Sequence, residues 1–188
     1  YMSHYAVHSP FQTDRRFEEN YKDSTKSRPA KSFATLIEGI DKSLGDLMDH
    51  VTEKGVAENT LILFVGDNGS DAPLGDNYGY YSSAPLRGKK GTCYEGGLRV
   101  PFIASWAQRG DQNKFPIARN HLHTKQIGTV MDIYSTILDA SGAKNPQEHV
   151  IDGVSLRKQL SGKVNQNRLD HFMCHFPHSH RSSYFTSY

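Results

Sequence analysis

The chain has 188 residues, a length that suits one ordinary domain and can bury a core without disulfide staples. Mean hydropathy is −0.63, polar for a folded domain, but nine Phe, ten Tyr and one Trp supply core material that disordered chains lack. With 22 Lys and Arg against 20 Asp and Glu, the formal net charge is +2, which speaks against a dedicated nucleic-acid binder and its basic stripe. Cys93 and Cys174 are too few for a disulfide scaffold and leave the redox compartment open. No apolar run approaches the ~20 residues that span a bilayer.

Residues 1–7 read as a short strand, ended by His8-Ser9-Pro10, because Pro10 cannot donate to a ladder. Residues 12–28 are charged, polar and without period, a surface loop. From Pro29 the pattern changes. Phe33, Leu36, Ile37, Ile40, Leu44, Leu47, Met48 and Val51 recur at three- and four-residue steps and predict one amphipathic helix, with Gly55 just past its end. Leu61-Ile62-Leu63-Phe64-Val65 is a continuous apolar run, the pattern of a strand buried on both faces. Residues 66–98 hold eight glycines and two prolines, a loop of a length that usually serves function.

Val100–Trp106 reads as the next strand, and Ile127–Met131 as another. Asp132 is placed to cap a helix through Ala140, stopped by Gly142. Residues 143–170 are irregular apart from a helical turn near Leu156–Leu160. Strands alternating with helices predict an α/β layered sheet, and sites in such sheets gather beyond the carboxyl ends of the strands.

That rule singles out Asp67-Asn68-Gly69, at the end of the most hydrophobic strand. A carboxylate beside an amide carbonyl offers two hard oxygen ligands for Ca²⁺ or Mg²⁺, although the same tripeptide makes a good Asx turn. Gly88-Lys89-Lys90-Gly91-Thr92 could bring an ammonium close to an anion or be a solvated basic loop; P-loop spacing is absent. His8, at a strand end, can exchange a proton near neutral pH or serve structure. His175 and His178 lie in an imidazole-rich segment whose spacing fits no zinc motif, so contacts to substrate or hydrogen bonds within a loop suit them better. Glu95 is expected to pair with Arg99 or Lys90.

Taken together, Asp67-Asn68-Gly69 and the run Gly88-Lys89-Lys90-Gly91-Thr92-Cys93-Tyr94-Glu95-Gly96-Gly97-Leu98-Arg99-Val100-Pro101 resemble the second half of a type I sulfatase catalytic domain. Tyr5-Ala6-Val7-His8-Ser9-Pro10-Phe11 looks like that family's histidine segment, and Asp132–Gly142 with Ile151-Asp152-Gly153-Val154-Ser155-Leu156 is similar to its later helix and loop. The resemblance implies an alkaline-phosphatase-like α/β sandwich with a mostly parallel sheet, of which residues 1–188 would be the carboxyl-side portion. Residues 165–188 could begin a C-terminal subdomain. It further implies that Asp67 and Asn68 help bind Ca²⁺ (Mg²⁺ as the alternative ion). By the same resemblance Lys90 contacts sulfate and ester oxygens, and His8 helps protonate the departing alcohol.

The resemblance implies a sulfate monoester substrate carried on a sulfated saccharide, with His175 and His178 among its contacts. The family's nucleophile is a formylglycine made within Cys/Ser-x-Pro/Ala-x-Arg. Neither Cys93-Tyr94-Glu95-Gly96-Gly97 nor Cys174-His175-Phe176-Pro177-His178 fits that context. The nucleophile, the acidic metal ligands and a first sulfate-binding Lys/His pair are therefore expected before Tyr1, and the chain alone should be inactive without that part of its domain. A secreted or periplasmic location follows only if the resemblance holds. Two other readings stand beside it: a phosphodiesterase or phosphonate hydrolase of the same superfamily, and a non-catalytic module that binds divalent ions or sulfated glycans.

Overall fold

The computed structural model describes residues 1–74, 82–169, 171–180 and 183–187, with backbone alone for 176–180 and 183–187. Helix α1 spans Arg28–Glu53, where the apolar periodicity places it. Ser27 caps it, its hydroxyl accepting from the Ala30 N–H, and Pro29 occupies the first turn, where its missing N–H costs nothing. Beyond the end, Gly55 turns the chain at φ +69°, a conformation that favours glycine. The fully covered positions of α1 are Ala30, Ser32 and Thr35, and these meet the preceding segment. The Thr13 and Ser32 hydroxyls bond at 2.7 Å, the Asp14 N–H donates to Thr35 Oγ1 at 3.0 Å, and Phe11 meets Phe33 edge-on at 5.6 Å. Residues 11–21, which include a 3-10 turn at Glu18–Tyr21, are thus a largely exposed surface segment fastened along the helix. The apolar stripe itself is half-buried, and Ile37 is exposed.

Strands β1 (Leu61–Val65) and β2 (Phe102–Trp106) are neighbours in a two-stranded sheet. At one end the Gly66 N–H donates to the Pro101 carbonyl at 3.0 Å; at the other the Ala107 N–H donates to the Thr60 carbonyl at 2.9 Å. Residue numbers rise along one strand as they fall along the other, so this pair is antiparallel, an arrangement that mixed sheets carry alongside parallel pairs. β1 is half-buried, with Val65 exposed at its end. Short helix α2 (Glu95–Leu98) precedes β2, α3 covers Asp132–Ser141, and α4 is the single turn Arg157–Leu160. Strand β3 (Cys174–His180) pairs antiparallel with β4 (Ser183–Ser187), Cys174 opposite Ser187 and His180 opposite Ser183, with an irregular register between Phe176 and His180.

Two expected strands are not formed. Residues 1–7 are irregular and end in a turn, with the His8 N–H on the Tyr5 carbonyl at 3.0 Å. β propensity needs a partner strand, and Tyr1, Met2 and Tyr5 lie exposed instead. Residues 127–131 are irregular because polar groups capture their backbone: Asp132 accepts the Thr129 N–H at 2.6 Å, and Arg168 Nε donates to the Ile127 carbonyl at 2.7 Å.

The chain forms two compact units. Unit 1 comprises Tyr1–Lys54, Phe64–Phe102 and Cys174–Ser187. Unit 2 comprises Gly55–Leu63 and Ile103–Met173, and its core gathers Trp106, Phe115 and Leu156. There Trp106 Nε1 donates to the Phe115 carbonyl at 3.0 Å, and the Arg157 guanidinium lies over the Phe115 ring at 4.6 Å while pairing with Asp139.

Candidate active site

Unit 1 carries every residue singled out for chemistry. Asp67 and Asn68 follow β1 after Gly66 and are exposed. Asn68 Nδ2 donates to the Gly69 carbonyl at 3.1 Å, which turns the amide so that Oδ1 stays available as a ligand. The next three residues tie this strand end to the lysine loop. The Gly69 N–H donates to the Gly97 carbonyl at 3.1 Å, and the Lys90 N–H donates to the Ser70 carbonyl at 3.0 Å. Asp71 Oδ1 meets Lys89 Nζ at 2.9 Å. The structure therefore brings Asp67-Asn68 and Lys89-Lys90, some twenty residues apart in sequence, into adjoining loops.

Glycines make this approach fit. A Cβ on Gly69 would strike the Gly96 carbonyl and lie 2.6 Å from Gly97 Cα. One on Gly96 would strike the Gly88 carbonyl and lie 2.7 Å from that of Arg87, and one on Gly97 would strike the Thr92 carbonyl and lie 2.6 Å from that of Lys89. Three backbone segments thus touch where no side chain could stand between them. Gly88 and Gly91 turn the loop at φ +86° and +80°. Thr92 Oγ1 closes it, accepting from the Lys89 N–H at 3.2 Å and donating to the Lys89 carbonyl at 2.9 Å. Glu95 pairs with Arg99 at 3.5 Å on the surface, as its sequence neighbours led us to expect.

His8 sits in the exposed turn that ends the first segment. Its Nδ1 donates to the Ser9 carbonyl at 2.7 Å, leaving Nε2 for another partner, and its ring lies 5.7 Å from that of Tyr5. No described contact joins His8 to Asp67, Asn68 or Lys90. His175 is exposed on β3, paired through its backbone with Thr186; the side chain of His178 lies outside the described residues. His4 bonds Ser43 Oγ at 3.0 Å against α1, a structural contact.

As metal ligands, Asp67 and Asn68 are hard oxygen donors of the type Ca²⁺ and Mg²⁺ prefer. Two donors fall short of the six to eight oxygens around Ca²⁺, and no group of three or more His, Cys, Asp or Glu that could hold a metal occurs among the described residues. The pair fits part of a calcium shell.

The serine form of Cys/Ser-x-Pro/Ala-x-Arg does occur here, contrary to the expectation that this context lies wholly outside the chain. It appears as Ser83-Ala84-Pro85-Leu86-Arg87 and as Ser105-Trp106-Ala107-Gln108-Arg109. Both serines serve the backbone. Ser83 Oγ donates to the Gly96 carbonyl at 2.8 Å, Arg87 stacks on Tyr94 at 3.8 Å, and Ser105 Oγ, within β2, donates to the Trp106 carbonyl at 3.0 Å. The Asp71–Lys89 pair was also not expected; its members stand eighteen positions apart, and no local spacing announces it.

A family model described as Sulfatase matches residues 1–143. Among curated proteins, N-acetylgalactosamine-6-sulfatase of Mus musculus is 32% identical over 151 residues, covering 80% of this chain and 26% of its own length. A sulfatase of Formosa agariphila is 31% identical over 196 residues, covering 94% and 32%. Among solved structures, Ps i-CgsB aligns with a TM-score of 0.69 at 26% identity, over 83% of this chain and 32% of that one. A second structure of Ps i-CgsB, in complex with k-i-k-neocarrahexaose, aligns with a TM-score of 0.60 at 26% identity, over 80% and 30%. The chain thus spans about a quarter to a third of the length of these relatives. It belongs to the sulfatase family, a hydrolase family, and carries part of its alkaline-phosphatase-like α/β fold.

Proposed function

We propose that this chain is the carboxyl-side portion of a sulfatase catalytic domain whose enzyme hydrolyses sulfate monoesters on sulfated saccharides. The observation that carries the reading is the bond from the Lys90 N–H to the Ser70 carbonyl. It sets an ammonium-bearing loop against the strand end that offers Asp67 and Asn68. A saccharide substrate is supported by the names of two relatives, an N-acetylgalactosamine-6-sulfatase and a protein solved in complex with k-i-k-neocarrahexaose.

In this reading Asp67 and Asn68 donate carboxylate and amide oxygens to a divalent ion, completed by ligands from the rest of the domain. The ion, when bound, polarises the sulfuryl oxygens and orients the nucleophile. Lys90 places positive charge where the S–O bond breaks and charge grows on the leaving oxygen. With its Nδ1–H committed to the Ser9 carbonyl, His8 gives a proton to that oxygen from Nε2 only as the doubly protonated imidazolium. The formylglycine comes from outside this chain. Ser83 and Ser105 stay unmodified, and intact peptide masses across both serines check this. A loss of two hydrogens at either would relocate the nucleophile.

In an enzyme containing the whole catalytic domain, Lys90→Ala lowers kcat on sulfate esters on the order of 10²-fold, measured at saturating substrate. Wild-type turnover in that variant removes Lys90 from the chemistry. Asp67→Ala lowers bound calcium, read by elemental analysis; unchanged metal content rejects Asp67 as a ligand.

A further inference from the structure

Two lysines stand side by side in the anion-binding loop, and their chemistry alone does not say which one meets the anion. The structure treats them differently. Lys89 Nζ lies 2.9 Å from Asp71 Oδ1, with the lysine side chain 22% and the aspartate side chain 36% exposed. In such partial burial, opposite charges attract more strongly than in bulk water. The backbone keeps the partners in reach, because the Lys90 N–H holds the Ser70 carbonyl one residue before Asp71. Thr92 fixes the Lys89 backbone from the other side. No ion pair is described for Lys90.

We propose, building on the sulfatase reading above, that Asp71 is a positioning residue: by pairing with Lys89 it withdraws that ammonium and leaves Lys90 to meet the sulfate group. An unpaired Lys89 would compete with its neighbour for the same anion and draw the sulfate out of line with the breaking bond. A misplacement near 1 Å can cost on the order of 10²-fold in rate. Asp71 acts through Lys89 and touches neither the substrate nor the reacting atoms.

The test is a pair of single variants and their combination, in an enzyme containing the whole catalytic domain and with an aryl sulfate as probe. Asp71→Asn lowers kcat on the order of tenfold, with the thermal midpoint unchanged. Lys89→Gln leaves kcat within about twofold of wild type, since the removed charge was already neutralised. Asp71→Asn combined with Lys89→Gln recovers the wild-type kcat, because the competing ammonium is gone. Equal losses in all three variants would overturn the proposal and make the pair a structural tie. A double variant as slow as Asp71→Asn would also overturn it and place Asp71 directly in the site.

A second readout does not depend on turnover. Under limited amine acylation followed by peptide mass analysis, Lys89 labels several-fold more slowly than Lys90, and Asp71→Asn removes the difference. Equal labelling in the unsubstituted protein rejects the withdrawal of Lys89. Unequal labelling in a protein without sulfatase activity rejects the functional reading instead.

Discussion

Unit 1 and unit 2 hold their loops by opposite means. In unit 1, the strand end after β1, the lysine loop and α2 are held mainly by backbone touching backbone at Gly69, Gly96 and Gly97, with the partly exposed Asp71–Lys89 pair beside them. In unit 2, a buried charge gathers the chain. Asp132 accepts the Thr129 N–H at 2.6 Å and the Val154 N–H at 2.9 Å, and pairs with Arg168 at 2.5 Å, both side chains being almost wholly buried. The first device leaves Asp67 and Asn68 exposed beside the crossing and Lys90 half-buried in the loop. The second consumes its charged groups. A carboxylate is therefore available for chemistry at the glycine crossing and not at the ion-pair clamp.

The sharpest way to break this comparison is to put a side chain into the crossing. Gly97→Val forces branched carbons onto the Thr92 and Lys89 carbonyls and destabilises the fold by more than about 4 kcal/mol. An unchanged urea midpoint would show that the loops can part and that glycine is not required there. Next in size, Asp132→Ala strands the Arg168 guanidinium among buried groups and costs about 3 kcal/mol, again read by urea unfolding. A loss within the ordinary surface range of about 0.5 kcal/mol would mean that the clamp is dispensable.

The same carboxylate gives a pH dependence. Burial pushes the Asp132 carboxyl up, but the Arg168 hydrogen bond, the Val154 and Thr129 N–H groups and the Arg168 charge outweigh it, and the net shift is downward. A carboxyl held below its unfolded value stabilises the fold at pH above the ordinary carboxylate range, and the benefit is lost as pH falls through the folded value. Acid unfolding curves should show this loss in the unsubstituted chain and a flatter dependence in Asp132→Asn. Identical acid slopes would contradict it. The smallest effect lies outside both devices: Ser27→Ala removes the α1 cap and costs about 1 kcal/mol, and no change in helix content or midpoint would show that the cap is idle.

Helix α1 was legible in the sequence because one apolar stripe repeats over seven turns, and β1 because five apolar residues stand between polar ones. Strands expected at 1–7 and 127–131 were not formed. Propensity does not reveal whether a partner strand is present, nor that Arg168, forty-one residues onward, takes the Ile127 carbonyl. Glycine density marked 66–98 as special, but which glycine touches which carbonyl is set by the crossing of three segments. At the site, Asp67, Asn68 and Lys90 could be singled out from residue chemistry and family likeness. The Asp71–Lys89 pair could not, since charge pairing across a loop leaves no periodic trace. Ser83 and Ser105 show the converse: a five-residue pattern can match where the hydroxyl is already bonded to backbone.

The most direct measurement is a crystal structure of the whole catalytic domain grown with calcium and soaked with sulfate, with the metal located by anomalous scattering. The account predicts calcium bound by Asp67 and Asn68 oxygens, sharing a sulfate whose oxygens reach Lys90 Nζ, while Lys89 remains on Asp71. Calcium bound elsewhere, or sulfate seated on Lys89 with Lys90 turned to solvent, would contradict it.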